Sequence, residues 1–171
     1  MTTNIIFVHG LESSGHGFKG NLFRKVIPDI LTPDLEPYQQ RVNLKKLFEN
    51  RMAQLNDILN KKSKWILIGS SFGGLMSALY TCKNPAKIKG LILLAPLLAI
   101  PSLNPQNYPS INVPVIVYHG KNDSVVSWKL SKERAEELFE DIEYNIVDDD
   151  HKLERTVKSL DWLGLINKFE S

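Results

Sequence analysis

Six short, largely apolar runs are spaced along the chain and predict the strands of one sheet. They lie at residues 5–8, 30–32, 65–68, 91–94, 115–118 and 144–147. Most are apolar on both faces, which is typical of parallel strands covered by helices on both sides. The second run is bracketed by Pro28 and Pro33. Because proline is tolerated better at a sheet edge than at its centre, we place that strand toward an edge.

Longer segments between the runs repeat apolar residues at helical spacing. The clearest is residues 44–59, where seven apolar side chains mark one face and Asn43 can cap the first turn. The seven are Leu44, Leu47, Phe48, Met52, Leu55, Ile58 and Leu59. Further helices are predicted at residues 22–27, after the third run as far as Pro85, at 127–139 and at 153–162. The proline-rich residues 95–114 are predicted to form a long connection.

The alternation of strands and helices predicts the fold class. Strands joined through helices imply right-handed crossovers and a parallel sheet. We expect an α/β, three-layer sandwich with a mostly parallel six-stranded sheet, in a single domain over residues 1–171. The first and third strands would be central neighbours, with the second outside the first. The strand order would then reverse between the first and third strands. Ligands bind at such a reversal, beside the carboxyl ends of the two strands. In this chain, residues 9–11 follow one of these ends and Ser71 lies just beyond the other.

The segment after the third run has the pattern G-x-S-x-G, written here as Gly69-Ser70-Ser71-Phe72-Gly73. A strand that reverses at once into a helix holds the central residue in a strained conformation. Glycines two positions away allow the close approach that this turn requires. Between a strand and a helix, the pattern is typical of a nucleophile elbow with Ser71 at its tip. The alternative is a glycine- and serine-rich turn with no chemistry.

A serine hydroxyl needs a base to take its proton and an acid to orient that base. Two histidines follow Ser71 in the chain. His119 ends the fifth strand and is predicted to pack or to satisfy a turn, whereas His151 follows the last strand in a loop that could reach the serine. For the acid, Asp123 lies in the loop after the fifth strand. Its rivals are residues 148–150, which are predicted instead to solvate their loop or to cap the last helix.

Together these motifs resemble the α/β-hydrolase superfamily, particularly its small, cap-less bacterial esterase-like members. The resemblance covers most of the chain. It rests on His9-Gly10 after the first strand, on residues 69–73 and 120–123, and on the late His151. It implies a minimal α/β-hydrolase fold without a cap domain.

The resemblance also implies residue roles. Ser71, Asp123 and His151 would form the catalytic triad. The backbone N–H groups of Leu11 and Phe72 would form the oxyanion hole, which stabilises the negative charge of the tetrahedral intermediate.

Apolar residues in the loops that flank the serine are candidates for substrate binding. They are Phe18, Leu97 and Leu98. It is equally consistent with the sequence that they simply cover the sheet. We expect a serine hydrolase that cleaves small or accessible carboxylic esters or thioesters through an acyl-enzyme intermediate. The alternative is a non-catalytic binding or scaffolding protein, because a hydrolase fold does not guarantee chemistry.

Composition narrows the classes of partner. The net charge of +2 gives no reason to expect nucleic acid, and no apolar stretch is long enough to span a bilayer. The four histidines and one cysteine have no metal-ligand spacing, and residues 11–20 lack the spacing and lysine of a phosphate-binding loop. We therefore expect neither a metal nor a cofactor. The single cysteine and the absence of a signal-peptide pattern predict a cytoplasmic protein, whose oligomeric state stays open.

Overall fold

A computed structural model describes residues 3–171, and its centre is a sheet of five parallel strands. The strands follow one another across the sheet in chain order: β1 Asn4–Val8, β2 Trp65–Ser70, β3 Ile88–Leu94, β4 Val115–Gly120 and β5 Ile142–Val147. The predicted parallel sheet is therefore confirmed. The expected lack of a signal peptide depends in part on Met1 and Thr2, which lie outside the described residues.

The prediction of six strands is wrong. Residues 30–32 contribute a single parallel bridge, between Leu31 and Ile6 of β1. Leu31 donates its N–H to the carbonyl oxygen of Ile5 at 3.0 Å and accepts from the N–H of Phe7 at 2.8 Å. The position outside β1 agrees with the prediction, but the pairing stops there. Pro33 has no N–H to continue the ladder.

Within residues 3–171, six α-helices connect and cover the strands. They are α1 Phe18–Val26, α2 Leu44–Leu59, α3 Phe72–Lys83, α4 Trp128–Leu138, α5 Glu154–Ser159 and α6 Trp162–Asn167. Asn43 caps α2 as predicted, since its side chain accepts from the N–H of Lys46 at 3.1 Å. The single helix predicted at 153–162 is wrong. Two short helices replace it because Leu160 is extended and Asp161 caps a new helix through the N–H of Gly164.

Apolar side chains cover both faces of the sheet and form two separate clusters. On one face, α2, α3 and α4 pack against alternate strand residues such as Ile6 and Leu67. On the other face, α1, α5 and α6 pack against the intervening residues such as Phe7 and Ile68. The chain is therefore a three-layer α/β sandwich, and its parallel strands all end at the same edge.

The long connection between β3 and β4 borders that edge. Residues 95–114 contain two single-turn 3-10 helices, Pro101–Leu103 and Pro105–Asn107. Arg134 of α4 anchors them, because its Nη1 donates to the carbonyl oxygens of Leu98, Ile100 and Leu103 at 3.2, 2.7 and 3.0 Å. Within residues 3–171, no helix has the length and apolar character needed to cross a bilayer.

Candidate active site

Ser71 forms the sharp turn between β2 and α3. Its backbone has φ 53° and ψ −111°, and a non-glycine residue rarely adopts such a positive φ. A Cβ on Gly73 would clash with the carbonyl oxygens of Val8 and His9, so only glycine lets α3 approach the end of β1. The strained turn leaves the Ser71 side chain partly exposed at the edge of the sheet.

The structure brings Ser71 together with the two partners that the sequence indicated. The Oγ of Ser71 lies 3.0 Å from Nε2 of His151, and Nδ1 of His151 lies 2.7 Å from Oδ2 of Asp123. Because a carboxylate only accepts, Nδ1 carries the proton of the neutral ring and Nε2 is left to accept from the serine hydroxyl. The three groups therefore form a continuous hydrogen-bonded chain from the ends of three strands.

Asp123 is held as an ionised carboxylate. Its Oδ1 accepts from the N–H groups of Val125 and Val126, both at 2.8 Å, and its Oδ2 accepts from His151. Burial alone would raise the pKa of this carboxyl group, but the hydrogen bonds from Val126, His151 and Val125 outweigh burial and lower its pKa below the ordinary value. Asp123 is thus an anion fixed beneath the imidazole.

The rival acids next to His151 face other partners. Asp148 pairs with Lys121 at 3.3 Å, and Oδ2 of Asp149 accepts from the N–H and Oγ1 of Thr156 at 2.9 and 2.7 Å. Asp150 accepts from the backbone N–H of the loop at residue 152. These contacts agree with the loop and capping roles expected for residues 148–150.

His119 has a contact that the sequence reasoning missed. It is fully buried, its Nε2 lies 3.0 Å from Oδ2 of Asp123, and its Nδ1 lies 2.7 Å from Oη of Tyr144. Burial lowers the pKa of His119, and the opposing attraction of Asp123 is smaller. A neutral ring that donates from Nε2 to the carboxylate and accepts at Nδ1 from the phenol satisfies both contacts. The packing role expected for His119 therefore includes support of Asp123.

Two backbone N–H groups border Ser71. Phe72 is the first residue of α3, so its N–H has no intrahelical acceptor. Leu11 follows Gly10, where an added Cβ would lie 3.6 Å from the Ser70 carbonyl oxygen and 3.8 Å from Cβ of Ser71. Within the described part of the chain, neither the Leu11 nor the Phe72 N–H donates to a backbone or side-chain acceptor. The two groups remain available to a ligand beside the serine.

The three candidates for substrate binding differ in accessibility. Phe18 is 38% exposed, with Nζ of Lys158 5.2 Å from its ring centroid. Leu97 is partly exposed, and its N–H donates to the carbonyl oxygen of Ser71 at 3.2 Å. Leu98 is fully buried in the core cluster under α3 and α4. Leu97 therefore presents surface beside Ser71, and Phe18 presents surface beside Lys158 of α5, whereas Leu98 is buried and has no surface to offer.

Comparisons with known proteins identify the fold independently. A sequence model of the alpha/beta hydrolase family matches residues 38–152. No curated protein matches the chain in sequence. Among solved structures, mouse alpha/beta hydrolase domain-containing protein 10 is similar, with a TM-score of 0.75 and 19% identity, covering 98% of this chain and 91% of that one.

Two further solved structures have the same fold. Est1E from Butyrivibrio proteoclasticus, bound to ferulic acid, gives a TM-score of 0.73 at 17% identity and covers 99% of this chain and 90% of that one. An esterase from Pyrococcus furiosus gives 0.70 at 17% identity, covering 98% and 81%. The family match spans more than half of the chain and includes the elbow and the loop of Asp123. The chain therefore belongs to the α/β-hydrolase family.

Proposed function

We propose that the protein is a serine hydrolase that cleaves small or accessible carboxylic esters or thioesters through an acyl-enzyme intermediate. The observation that carries the proposal is the chain of contacts from Oγ of Ser71 to Nε2 of His151, at 3.0 Å, and from Nδ1 of His151 to Oδ2 of Asp123, at 2.7 Å. Both distances lie within hydrogen-bond reach, which proton transfer from a nucleophile to its base requires.

In the first half-reaction, Oγ of Ser71 attacks the substrate carbonyl carbon while His151 accepts the hydroxyl proton at Nε2. The carbonyl oxygen becomes negatively charged, and the N–H groups of Leu11 and Phe72 donate to it. His151 then gives its proton to the departing alcohol or thiol, and the acyl group stays on Ser71. Two observations support these roles: the Leu11 and Phe72 N–H groups have no other acceptor in the described residues, and Oγ of Ser71 lies within hydrogen-bond distance of Nε2 of His151.

In the second half-reaction, water attacks the acyl group while His151 accepts a proton from the water. The tetrahedral intermediate collapses, Oγ of Ser71 takes the proton from Nε2, and the carboxylic acid leaves. Asp123 does not itself become protonated. Its fixed negative charge keeps the proton on Nδ1 and stabilises the imidazolium that forms in each step.

The surroundings of Ser71 support small or accessible substrates. Ser71 and His151 are both partly exposed, and the helices within residues 95–114 are two single 3-10 turns. The similar structures include an esterase and a protein bound to ferulic acid, which is a carboxylic acid. A carboxylic acid is the product that ester hydrolysis would release.

Hydrolysis of p-nitrophenyl acetate and butyrate tests the proposal. We expect turnover by the unaltered protein and none above background by Ser71→Ala. The matched control is Ser63→Ala, an exposed serine before the amino end of β2, at the opposite edge of the sheet. Turnover that persists in Ser71→Ala would show that Ser71 is not the nucleophile. Folded, unaltered protein with no turnover of either ester would favour a binding protein on a hydrolase fold.

A further inference from the structure

One charged residue interrupts the apolar face of α2. Arg51 lies four residues after Leu47 and four before Leu55, and both leucines are buried. The Arg51 side chain is itself fully buried. Burial of a guanidinium group is costly unless its donors are all satisfied, so this position demands specific partners.

Those partners are backbone carbonyl groups. Nε of Arg51 donates to Glu36 O at 2.7 Å, Nη2 to Leu11 O at 2.8 Å and Nη1 to Gly10 O at 3.2 Å. In residues 3–171, no carboxylate oxygen lies within 4.0 Å of this guanidinium. Burial lowers the pKa of Arg51, yet arginine stays protonated in proteins. Its positive charge therefore acts on the loop after β1.

The contact with Gly10 fixes the direction of the following N–H. The Gly10 carbonyl oxygen also accepts from Nδ1 of His9 at 2.8 Å, so two side chains donate to it and fix its direction. In a trans peptide, the C=O and the next N–H point in opposite directions. The Leu11 N–H consequently points away from Arg51, and Gly10 passes directly beside Ser71.

Arg51 also touches the residue that carries the second free N–H. Its Cζ lies 5.6 Å from the ring centroid of Phe72, within the range of a cation–π contact. One guanidinium group thus contacts both segments that border the serine.

We propose that Arg51 is a positioning residue for oxyanion stabilisation. It holds the peptide between Gly10 and Leu11 so that the Leu11 N–H meets the negatively charged oxygen of the tetrahedral intermediate. The inference rests on the proposed function. A charge-assisted hydrogen bond to the Gly10 carbonyl also polarises the peptide, which makes its N–H a stronger donor.

A second arginine supplies the matched control. Arg134 also donates to three loop carbonyl groups, but they belong to the connection between β3 and β4. If Arg51 only fastens a loop, loss of either guanidinium should lower the thermal midpoint and leave the chemical step alone. If Arg51 positions the oxyanion donor, only its loss should weaken binding of the tetrahedral state.

The experiment compares Arg51→Met, Arg51→Gln and Arg51→Lys with Arg134→Met. For each variant, kcat and KM are measured with p-nitrophenyl butyrate, and the inhibition constant with an alkyl trifluoromethyl ketone. That ketone forms a tetrahedral adduct carrying an oxyanion on the reactive serine. The thermal midpoint of unfolding reports the structural effect of each substitution.

We expect Arg51→Met to lower kcat by about 100-fold and to raise the inhibition constant by a similar factor, the effect of losing one oxyanion donor. KM should change by less than about threefold, because the ground-state carbonyl is uncharged. Arg51→Lys should recover part of both losses, since it keeps the charge. Arg134→Met should keep kcat and the inhibition constant within about threefold of the unaltered protein.

Three outcomes overturn the inference. In the first, Arg51→Met folds and matches Arg134→Met in kcat and inhibition constant. In the second, Arg51→Met fails to fold, while Arg51→Lys and Arg51→Gln fold equally well and have equal kcat. In the third, the unaltered protein neither hydrolyses the ester nor binds the ketone, and the proposed function then fails with it. Normal activity in the unaltered protein with unchanged Arg51 variants refutes the role of Arg51 alone.

Discussion

Two histidines contact the same carboxylate oxygen, yet their surroundings differ. Nδ1 of His151 lies 2.7 Å and Nε2 of His119 lies 3.0 Å from Oδ2 of Asp123. The side chain of His151 is 21% exposed and its free nitrogen faces Ser71. The side chain of His119 is fully buried, and its other nitrogen faces the phenol of Tyr144.

The difference shows that the second partner of each ring decides what the ring can do. Burial raises the pKa of Tyr144 well above its ordinary value, so the phenol keeps its proton and His119 has no group with which to exchange one. His151 instead faces a hydroxyl group at the exposed edge of the sheet. We infer that His151 can move a proton, whereas His119 supports Asp123. The following substitutions test this division, from the largest expected effect to the smallest.

His151→Ala should remove the base and lower kcat by at least about 10⁴-fold, with little change in stability. Ester hydrolysis and thermal unfolding are the measurements. The control is His16→Ala, which removes an exposed histidine paired with Asp34 and should retain full activity. Substantial activity in His151→Ala would mean that another group accepts the proton of Ser71.

Asp123→Asn should lower kcat by about 10⁴-fold, because the amide leaves His151 in the wrong tautomer and without its countercharge. The same change should also lower the free energy of unfolding. Both carboxylate oxygens of Asp123 accept hydrogen bonds, whereas an asparagine amide has only one acceptor oxygen. Asp149→Asn is the control, because Asp149 contacts Thr156 and not His151. Equal loss of activity in the two variants would show that Asp123 is not the specific orienting acid.

His119→Leu should affect stability more than catalysis. The leucine removes the hydrogen bonds that His119 makes with the Tyr144 hydroxyl and with Oδ2 of Asp123. Leaving these two buried groups without that partner lowers the free energy of unfolding by about 1–3 kcal/mol. We expect kcat to fall by no more than about tenfold, since the hydrogen bonds of Asp123 with Val125, Val126 and His151 remain. Urea denaturation and ester hydrolysis measure the two effects. A loss of kcat as large as that of His151→Ala would contradict the assigned division of roles.

Stability should fall as the pH drops below about 6.5. Burial lowers the pKa of His119 and of His9 in the folded state, so the unfolded chain binds these protons first, near the ordinary value of 6.5. Below about pH 4, protonation of Asp123 in the unfolded chain adds a second loss, because its folded pKa is lowered from 3.8.

A series of urea denaturation curves between pH 3 and 8 measures this dependence. His119→Leu should have a shallower decrease between pH 6.5 and 5, since one of the two buried histidines is gone. An unchanged decrease in that variant would show that His119 does not contribute to the acid sensitivity.

The sequence was informative where a feature depends on neighbouring residues. The elbow at Ser71 requires only a strand, a tight turn and a helix in succession, and these were predicted from residues 65–83. The positions of Asp123 and His151 followed from the ends of later strands. The strand predicted at residues 30–32 failed because a short apolar run does not reveal how many of its N–H groups find partners.

The contacts of Arg51 and His119 depend on packing between distant segments. Arg51 reaches a carbonyl group 40 residues earlier, and His119 reaches a phenol 25 residues later. The charge on the apolar face of α2 was a visible signal for a buried arginine. No pattern in the sequence indicated that its partners would be the carbonyl groups beside Ser71.

Labelling with a fluorophosphonate, followed by peptide mass spectrometry, tests the central claim most directly. The account predicts one adduct per chain, on Ser71, with the rate of labelling reduced by at least about 100-fold in His151→Ala. An adduct on another residue, or an undiminished rate in folded His151→Ala, would contradict the activation of Ser71 by His151.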